Sequence, residues 1–102
     1  MGVGVFFRTT EFDAWLKALR DPIGKARILA RVRSAEIGNF GDSSAVGEGV
    51  YEMRIHIGPG YRVYYCRRGE VTYLLLCGGD KSSQRQDIRT AKALRKNLEA
   101  DA

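Results

Sequence analysis

Residues 49–65, GVYEMRIHIGPGYRVYY, decide how this chain is read. Two runs rich in aromatic and β-branched residues flank a Gly58-Pro59-Gly60 corner, which is the pattern of two strands joined by a tight connection. Side chains alternate along a strand. In the run 50–57, Tyr51, Met53, Ile55 and Ile57 therefore share one face, and Glu52, Arg54 and His56 share the other. In the run 61–67, Arg62 falls with Tyr64 and Cys66, while Tyr61, Val63 and Tyr65 fall opposite. Aligning the polar sides puts Glu52, Arg54, His56, Arg62 and Tyr64 on one open sheet surface. Guanidinium forks match phosphate oxygens, and aromatic rings beside them stack on nucleobases, so that surface suits a nucleic acid. The plainer alternative is a solvated sheet face on which Glu52 pairs with Arg62.

Downstream, RRGE (67–70) turns the chain into a third strand, expected at 70–77. GGDKSS (78–83) then forms a loop, and Ser83-x-x-Gln86 reads as a capping box opening a last helix. Ile88, Ala91, Leu94 and Leu98 are its apolar face. Lys81, in the loop leaving the sheet, is positioned to reach the polar surface. Upstream, VGVFF (3–7) reads as a short first strand, with Thr9 or Thr10 capping a helix whose apolar face is Phe12, Trp15, Leu16 and Leu19. Asp21-Pro22 restarts a helix, Ala26, Leu29, Ala30 and Ile37 are expected to line its buried side, and Gly38 ends it. Helices joined so tightly form an αα-hairpin. The glycine- and serine-rich stretch GNFGDSSAVGEG (38–49) reads as a surface loop. The order is β-α-α-β-β-β-α. Consecutive strands pair antiparallel, giving an α+β fold: a small antiparallel-rich sheet with its helices packed on one side.

The length of 102 residues, with 44% hydrophobic and 28% charged residues, describes one soluble domain with a real core. No apolar run approaches the ~20 residues of a membrane span. The N-terminus has neither the basic segment nor the cleavage pattern of a secretory leader, so the expected location is cytoplasmic. Cys66 and Cys77 lie in apolar runs and read as buried free thiols. With one histidine and two separated cysteines in the chain, a zinc site is not expected. The net charge is +5, and residues 81–96 concentrate it: Lys81, Arg85, Arg89, Lys92, Arg95 and Lys96 face one acid, Asp87. Arg85, Arg89, Lys92 and Lys96 recur on one helical stripe without interleaved acids, which points to a polyanion or an acidic peptide. The shorter stripe of Arg27 and Arg31 reads as solubility.

GVYEMRIHIGPGYRVYY followed by VTYLLLCGGDKSSQRQDIRTA (71–91), with the opening EFDAWLKALRD (11–21), resembles the RelE/ParE superfamily of toxins from bacterial toxin–antitoxin modules. Within it the chain is similar to the HigB-like, phage-type addiction module killer branch. The resemblance covers nearly the whole chain and implies one toxin domain over residues 1–102 with that strand order. It implies a ribosome-dependent mRNA endoribonuclease that inhibits translation without metal or cofactor. In that chemistry a ribose 2′-OH attacks the adjacent phosphate, leaving a 2′,3′-cyclic phosphate and a 5′-OH, which calls for a base, an acid and cations. By position, Arg54 matches the family's second-strand cation, Arg62 the phosphate clamp of the GYR strand, and Lys81 the cation on the leaving side. His56 and Glu52 are the candidate proton acceptors. Tyr64 and the stripe Arg85, Arg89, Lys92 and Lys96 become the RNA contacts. The implied partners are the ribosome with its mRNA and a helix-turn-helix, HigA-like antitoxin. The chain departs from RelE proper in having Glu52 where a strand lysine stands. Gln84, Gln86 and Asp87 also occupy the region of the catalytic tyrosine, and the C-terminal His-Tyr of other relatives is absent. The second reading is a ParE-like inhibitor of DNA gyrase acting by binding alone, and the third a non-toxic relative that binds only RNA or an antitoxin.

Overall fold

A computed structural model describes residues 4–100. Its elements are β1 (Val5–Arg8), α1 (Thr10–Ala18), α2 (Pro22–Glu36), β2 (Ser43–Gly47), β3 (Val50–Ile55), β4 (Tyr61–Arg67), β5 (Thr72–Asp80), a 3-10 turn (Lys81–Ser83) and α3 (Gln84–Ala100). The strands form one mixed sheet in the order β1-β5-β4-β3-β2. β1 runs parallel to β5, and the other neighbours are antiparallel. Of the expected first strand, Val3 lies outside the described residues.

Local chemistry sets the helix starts. Thr9 caps α1, its hydroxyl accepting from the Phe12 amide at 2.9 Å. Asp21 caps α2, with Pro22 in the first turn, and accepts from the Gly24 amide at 3.0 Å. The same carboxylate accepts from the Tyr61 hydroxyl at 2.7 Å, which ties the start of α2 to the start of β4. That bond holds Asp21 below the usual carboxylate range and pushes the Tyr61 hydroxyl up to about 12.

The helices occupy both faces of the sheet, which corrects the expectation of a one-sided arrangement. Phe12 and Leu16 of α1 and Ile28, Val32 and Ala35 of α2 pack on Met53, Ile55, Val63, Tyr65 and Leu75. On the other face, Ala91 of α3, with Ile88, Leu94 and Leu98 beside it, packs on Val50, Tyr64, Cys66, Leu74, Leu76 and Cys77. An apolar stripe on the last helix must be buried somewhere, and Val50, Tyr64 and Cys66 present the second apolar surface that receives it.

Three further expectations are corrected. The stretch 38–49 is not all loop: Ser43–Gly47 pairs with β3 as the sheet's edge. Its short sequence, Ser-Ser-Ala-Val-Gly, carries little of the β-branched or aromatic signal of a strand. Its partner returns through Glu48 and Gly49, both at positive φ (53° and 78°), the twist that a two-residue hairpin requires. On α2, Gly24, Ile28, Val32 and Ala35 are the buried residues, while Ile37 is 73% exposed. Apolar residues lie on two adjoining stripes of this helix, and the sheet takes the neighbouring one. The capping box sits three residues before the expected one and opens the 3-10 turn that leads into α3: the Asp80 carboxylate accepts from the Ser82 amide, and Ser83 closes the box.

A bulge in β5 shifts the far end of that strand. Tyr64 pairs with Cys77 and Tyr65 with Leu75, so Leu76 is the extra residue, and Leu76 and Cys77 both join the α3 side. The bulge brings Gly79 opposite Arg62. Gly78 lies under Trp15, where a Cβ would stand 2.3 Å from the indole ring. Gly78→Ala is therefore expected to destabilise by about 2 kcal/mol through overpacking in urea unfolding. Gly69→Ala, where the nearest atom to a Cβ is 3.6 Å away, should unfold like the wild type.

Candidate functional site

Register builds the site. Glu52 stands opposite Tyr64, and Arg54 opposite Arg62. Glu52 is 2% exposed, and its two oxygens are fully engaged. Oε1 accepts from Arg54 Nη1 at 2.9 Å and from Arg62 Nη1 at 3.5 Å. Oε2 accepts from the Tyr64 hydroxyl at 3.0 Å and from Gln84 Nε2, in the first turn of α3, at 2.7 Å. A carboxylate taken out of water persists only when paired and hydrogen-bonded in this way. Burial, then the Glu52 charge, pushes the Tyr64 hydroxyl well above its ordinary value. Arg62 keeps one buried nitrogen, Nε, without a partner.

A second carboxylate grips the rim. Asp42 Oδ1 accepts from Arg54 Nη2 at 2.7 Å and Nε at 3.1 Å, and Oδ2 accepts from His56 Nε2 at 2.5 Å. Ser44 Oγ accepts from Arg54 Nη1 at 3.0 Å. The Arg54 guanidinium, then His56, holds the Asp42 carboxyl far below its usual range, and Asp42, then Glu52, pushes Arg54 above its own. Arg31 fixes the loop that carries Asp42. Its guanidinium donates to the carbonyls of Phe40 (3.0 Å), Asp42 (3.4 Å) and Arg54. The loop folds over it at Gly41 (φ +61°), where a Cβ would lie 2.7 Å from Arg31 Nη2. Arg31 is thus a positioning residue and not merely a solubilising one.

The open sheet surface expected from alternation shrinks to a rim, because α3 covers the part nearer Val50. Arg54 and Arg62 are brought together there, with side chains 24% and 11% exposed. His56 joins them through Asp42 and is 69% exposed. Lys81, exposed at the start of the 3-10 turn, lies two residues beyond Gly79 and hence at the same end of the sheet as Arg62. Two assignments are corrected. Tyr64 is fully buried beneath α3 and presents no ring for stacking, and Glu52 is saturated with donors and sealed from solvent, so it has no free lone pair for an incoming proton. On α3, Arg85, Arg89 and Lys96 are exposed, and Arg89 also bonds Gln86 at 2.9 Å. Lys92 is instead turned onto the β2–β3 hairpin, 3.4 Å from Glu48.

Sequence reasoning alone does not find Asp42, Ser44, Gln84 or the role of Arg31. Asp42 and Ser44 sit in the stretch that reads as loop, and Gln84 stands out only as a residue where a tyrosine is missing. Among the described residues no group of three or more His, Cys, Asp or Glu side chains is placed to hold a metal ion, and no helix is long and apolar enough to cross a membrane.

The site is thus a cationic rim at one end of the sheet, held by two carboxylates. The family described as phage-derived protein Gp49-like (DUF891) matches residues 11–98. The chain belongs to that family. Gp49-like proteins are a toxin-like addiction-module family related to RelE and HigB. An uncharacterized protein of Haemophilus influenzae is 48% identical over 90 residues, covering 88% of this chain and 91% of its own. The Gp49-like match includes every residue of the rim, from Asp42 to Gln84.

Two measurements check this account of the Gp49-like site. Glu52→Gln removes the charge that Arg54 and Arg62 share in a buried setting, and is expected to cost about 3 kcal/mol in denaturant unfolding. Asp42 has a folded pKa below its ordinary 3.8. Its contribution to stability is therefore complete above the ordinary value and is lost as pH falls toward the folded one. The stability difference between the wild type and Asp42→Asn should narrow as pH drops below about 4.

Proposed function

We propose that this protein is the toxin of a type II toxin–antitoxin module and that it cleaves mRNA on the ribosome without a metal ion. The observation that carries the reading is the Arg54–Arg62 pair, set side by side across β3 and β4 and oriented by a buried carboxylate at the uncovered end of the sheet. Arg62, held to Glu52 through Nη1 alone, is preorganised for a phosphate whose charge grows in the transition state, and Arg54, whose fork Asp42 occupies, adds its positive charge beside it. Membership of an addiction-module family supports the toxin role.

In this mechanism Arg62 is the main clamp on the scissile phosphate, and Arg54 assists it. His56 takes the proton. Its Nε2–H donates to Asp42, so Nδ1 carries the lone pair that accepts the proton of the ribose 2′-OH. The 2′ oxygen bonds to phosphorus as the bond to the 5′ oxygen breaks. Lys81 neutralises the leaving oxygen, which is protonated from solvent. The exposed Arg85, Arg89 and Lys96 hold RNA by charge, in a salt-dependent way. A helix-turn-helix antitoxin with an acidic segment would silence the toxin by covering the rim.

The test is a purified translation reaction with primer extension across the mRNA. Cleavage should appear at ribosome-occupied codons and fall at least ~100-fold in Arg62→Ala, with Arg62→Lys also impaired because it lacks the fork. Intact mRNA with wild-type protein, together with inhibition of gyrase supercoiling that survives Arg54→Ala/Arg62→Ala, would replace this reading with the ParE-like one.

A further inference from the structure

A second pocket opens at the other end of the sheet, on the α1–α2 face. It has a volume of about 190 Å³ and is lined by Phe40, Tyr51, Tyr65, Tyr73 and Arg67. Its walls come from strand pairing, because Tyr51 stands opposite Tyr65, and Arg67 opposite Tyr73. Phe40 closes it from the loop after α2 and stacks on Tyr65 with ring centroids 5.5 Å apart, while Tyr51 stacks on the same ring at 5.6 Å. The rings are held in place. Arg31 bonds the Phe40 carbonyl, and Ser43 Oγ meets the Tyr65 hydroxyl at 2.5 Å. Tyr51 nevertheless leaves 40% of its surface in water. Arg67 is equally fixed. Its Nε and Nη2 donate to the carbonyls of Gly69 (2.7 Å) and Glu70 (2.5 Å), which leaves Nη1 for another acceptor.

We propose that this pocket binds a nucleobase together with its phosphate. A cavity of about 150 Å³ takes up a benzene ring, so this one admits a heteroaromatic ring. Tyrosine faces are platforms for unstacked bases, and a guanidinium with a free nitrogen at the mouth supplies the charge-assisted bond that a phosphate takes. That cation, together with the chain's +5 charge, favours an anionic nucleotide over the aromatic side chain of a protein partner. The site lies on the opposite face from Arg54 and Arg62 and does not rest on the ribonuclease reading. Its ligand is either a free nucleotide or an unpaired nucleotide of an RNA.

The experiment is a ¹H–¹⁵N NMR titration of the intact protein with adenosine 5′-monophosphate, adenosine and the trinucleotide ApApA. The monophosphate should shift the amides of Phe40, Tyr51, Tyr65, Arg67 and Tyr73. Affinity should fall about tenfold in Tyr51→Ala, which removes a stacking face from an exposed position. Adenosine should bind more weakly than its monophosphate, and Arg67→Ala should erase that difference. Arg62→Ala should leave the pocket shifts unchanged, which separates failure here from failure of the ribonuclease reading. Tighter binding of ApApA through the same residues identifies RNA as the source, and equal binding identifies free nucleotide. The proposal is overturned if shifts are confined to Arg54, Arg62 and Lys81, if no ligand shifts the pocket, or if N-acetyltryptophanamide binds there as tightly as the monophosphate.

Discussion

One buried carboxylate organises the functional end of this protein. Glu52 collects donors from β3, β4 and α3, and each of those elements is thereby aligned to the others. A lone carboxylate in that position would be costly, and a lone guanidinium beside it would be costly too. The two kinds of charge are mutually required. The consequence for the arginines is orientation: Glu52 holds Arg62 and Arg54 each through Nη1, and Asp42 takes Nε and Nη2 of Arg54 from the other side.

Asp42 works on the outer side as Glu52 works on the inner one. Between them they grip Arg54 from two directions, and Asp42 extends the arrangement to His56. The pairing leaves His56 exposed yet directed. It also makes a loop outside the main strands part of the site, and Arg31 of α2 is what keeps that loop in register with β3. The same guanidinium holds the carbonyl of Phe40, so the rim and the aromatic pocket on the other face hang from one side chain.

Much of this is legible in the sequence. Alternation in 50–57 and 61–67 correctly separates Met53, Ile55 and Val63 from Glu52, Arg54 and Arg62, and helix caps at Thr9 and Asp21 mark real starts. Alternation says which side a residue faces but not what covers that side. Tyr64 and Glu52 read as open because nothing in a strand's pattern announces a helix laid across it. The signal is present elsewhere, in the apolar stripe of Ile88, Ala91, Leu94 and Leu98, which needs a surface of its own. Asp42 and Ser44 escape notice for a different reason. An edge strand of small residues between glycines has no clear periodicity to detect, and the importance of Asp42 comes from a contact 12 residues away in sequence. The buried face of α2 is ambiguous because its apolar residues permit two neighbouring stripes, and only the sheet's shape chooses between them.

The pairing of β1 with β5 has a consequence for biosynthesis. Val5–Arg8 finds its hydrogen-bonding neighbour in the last strand, and Gln84, which completes the shell around Glu52, comes after that strand. Contacts between such distant parts of a chain form late, since the intervening loop must first be closed. While the polypeptide is still being made, the Arg54–Arg62 pair therefore lacks both its central sheet partner and its helical cover. The cationic rim is therefore assembled only after the last helix has been synthesised.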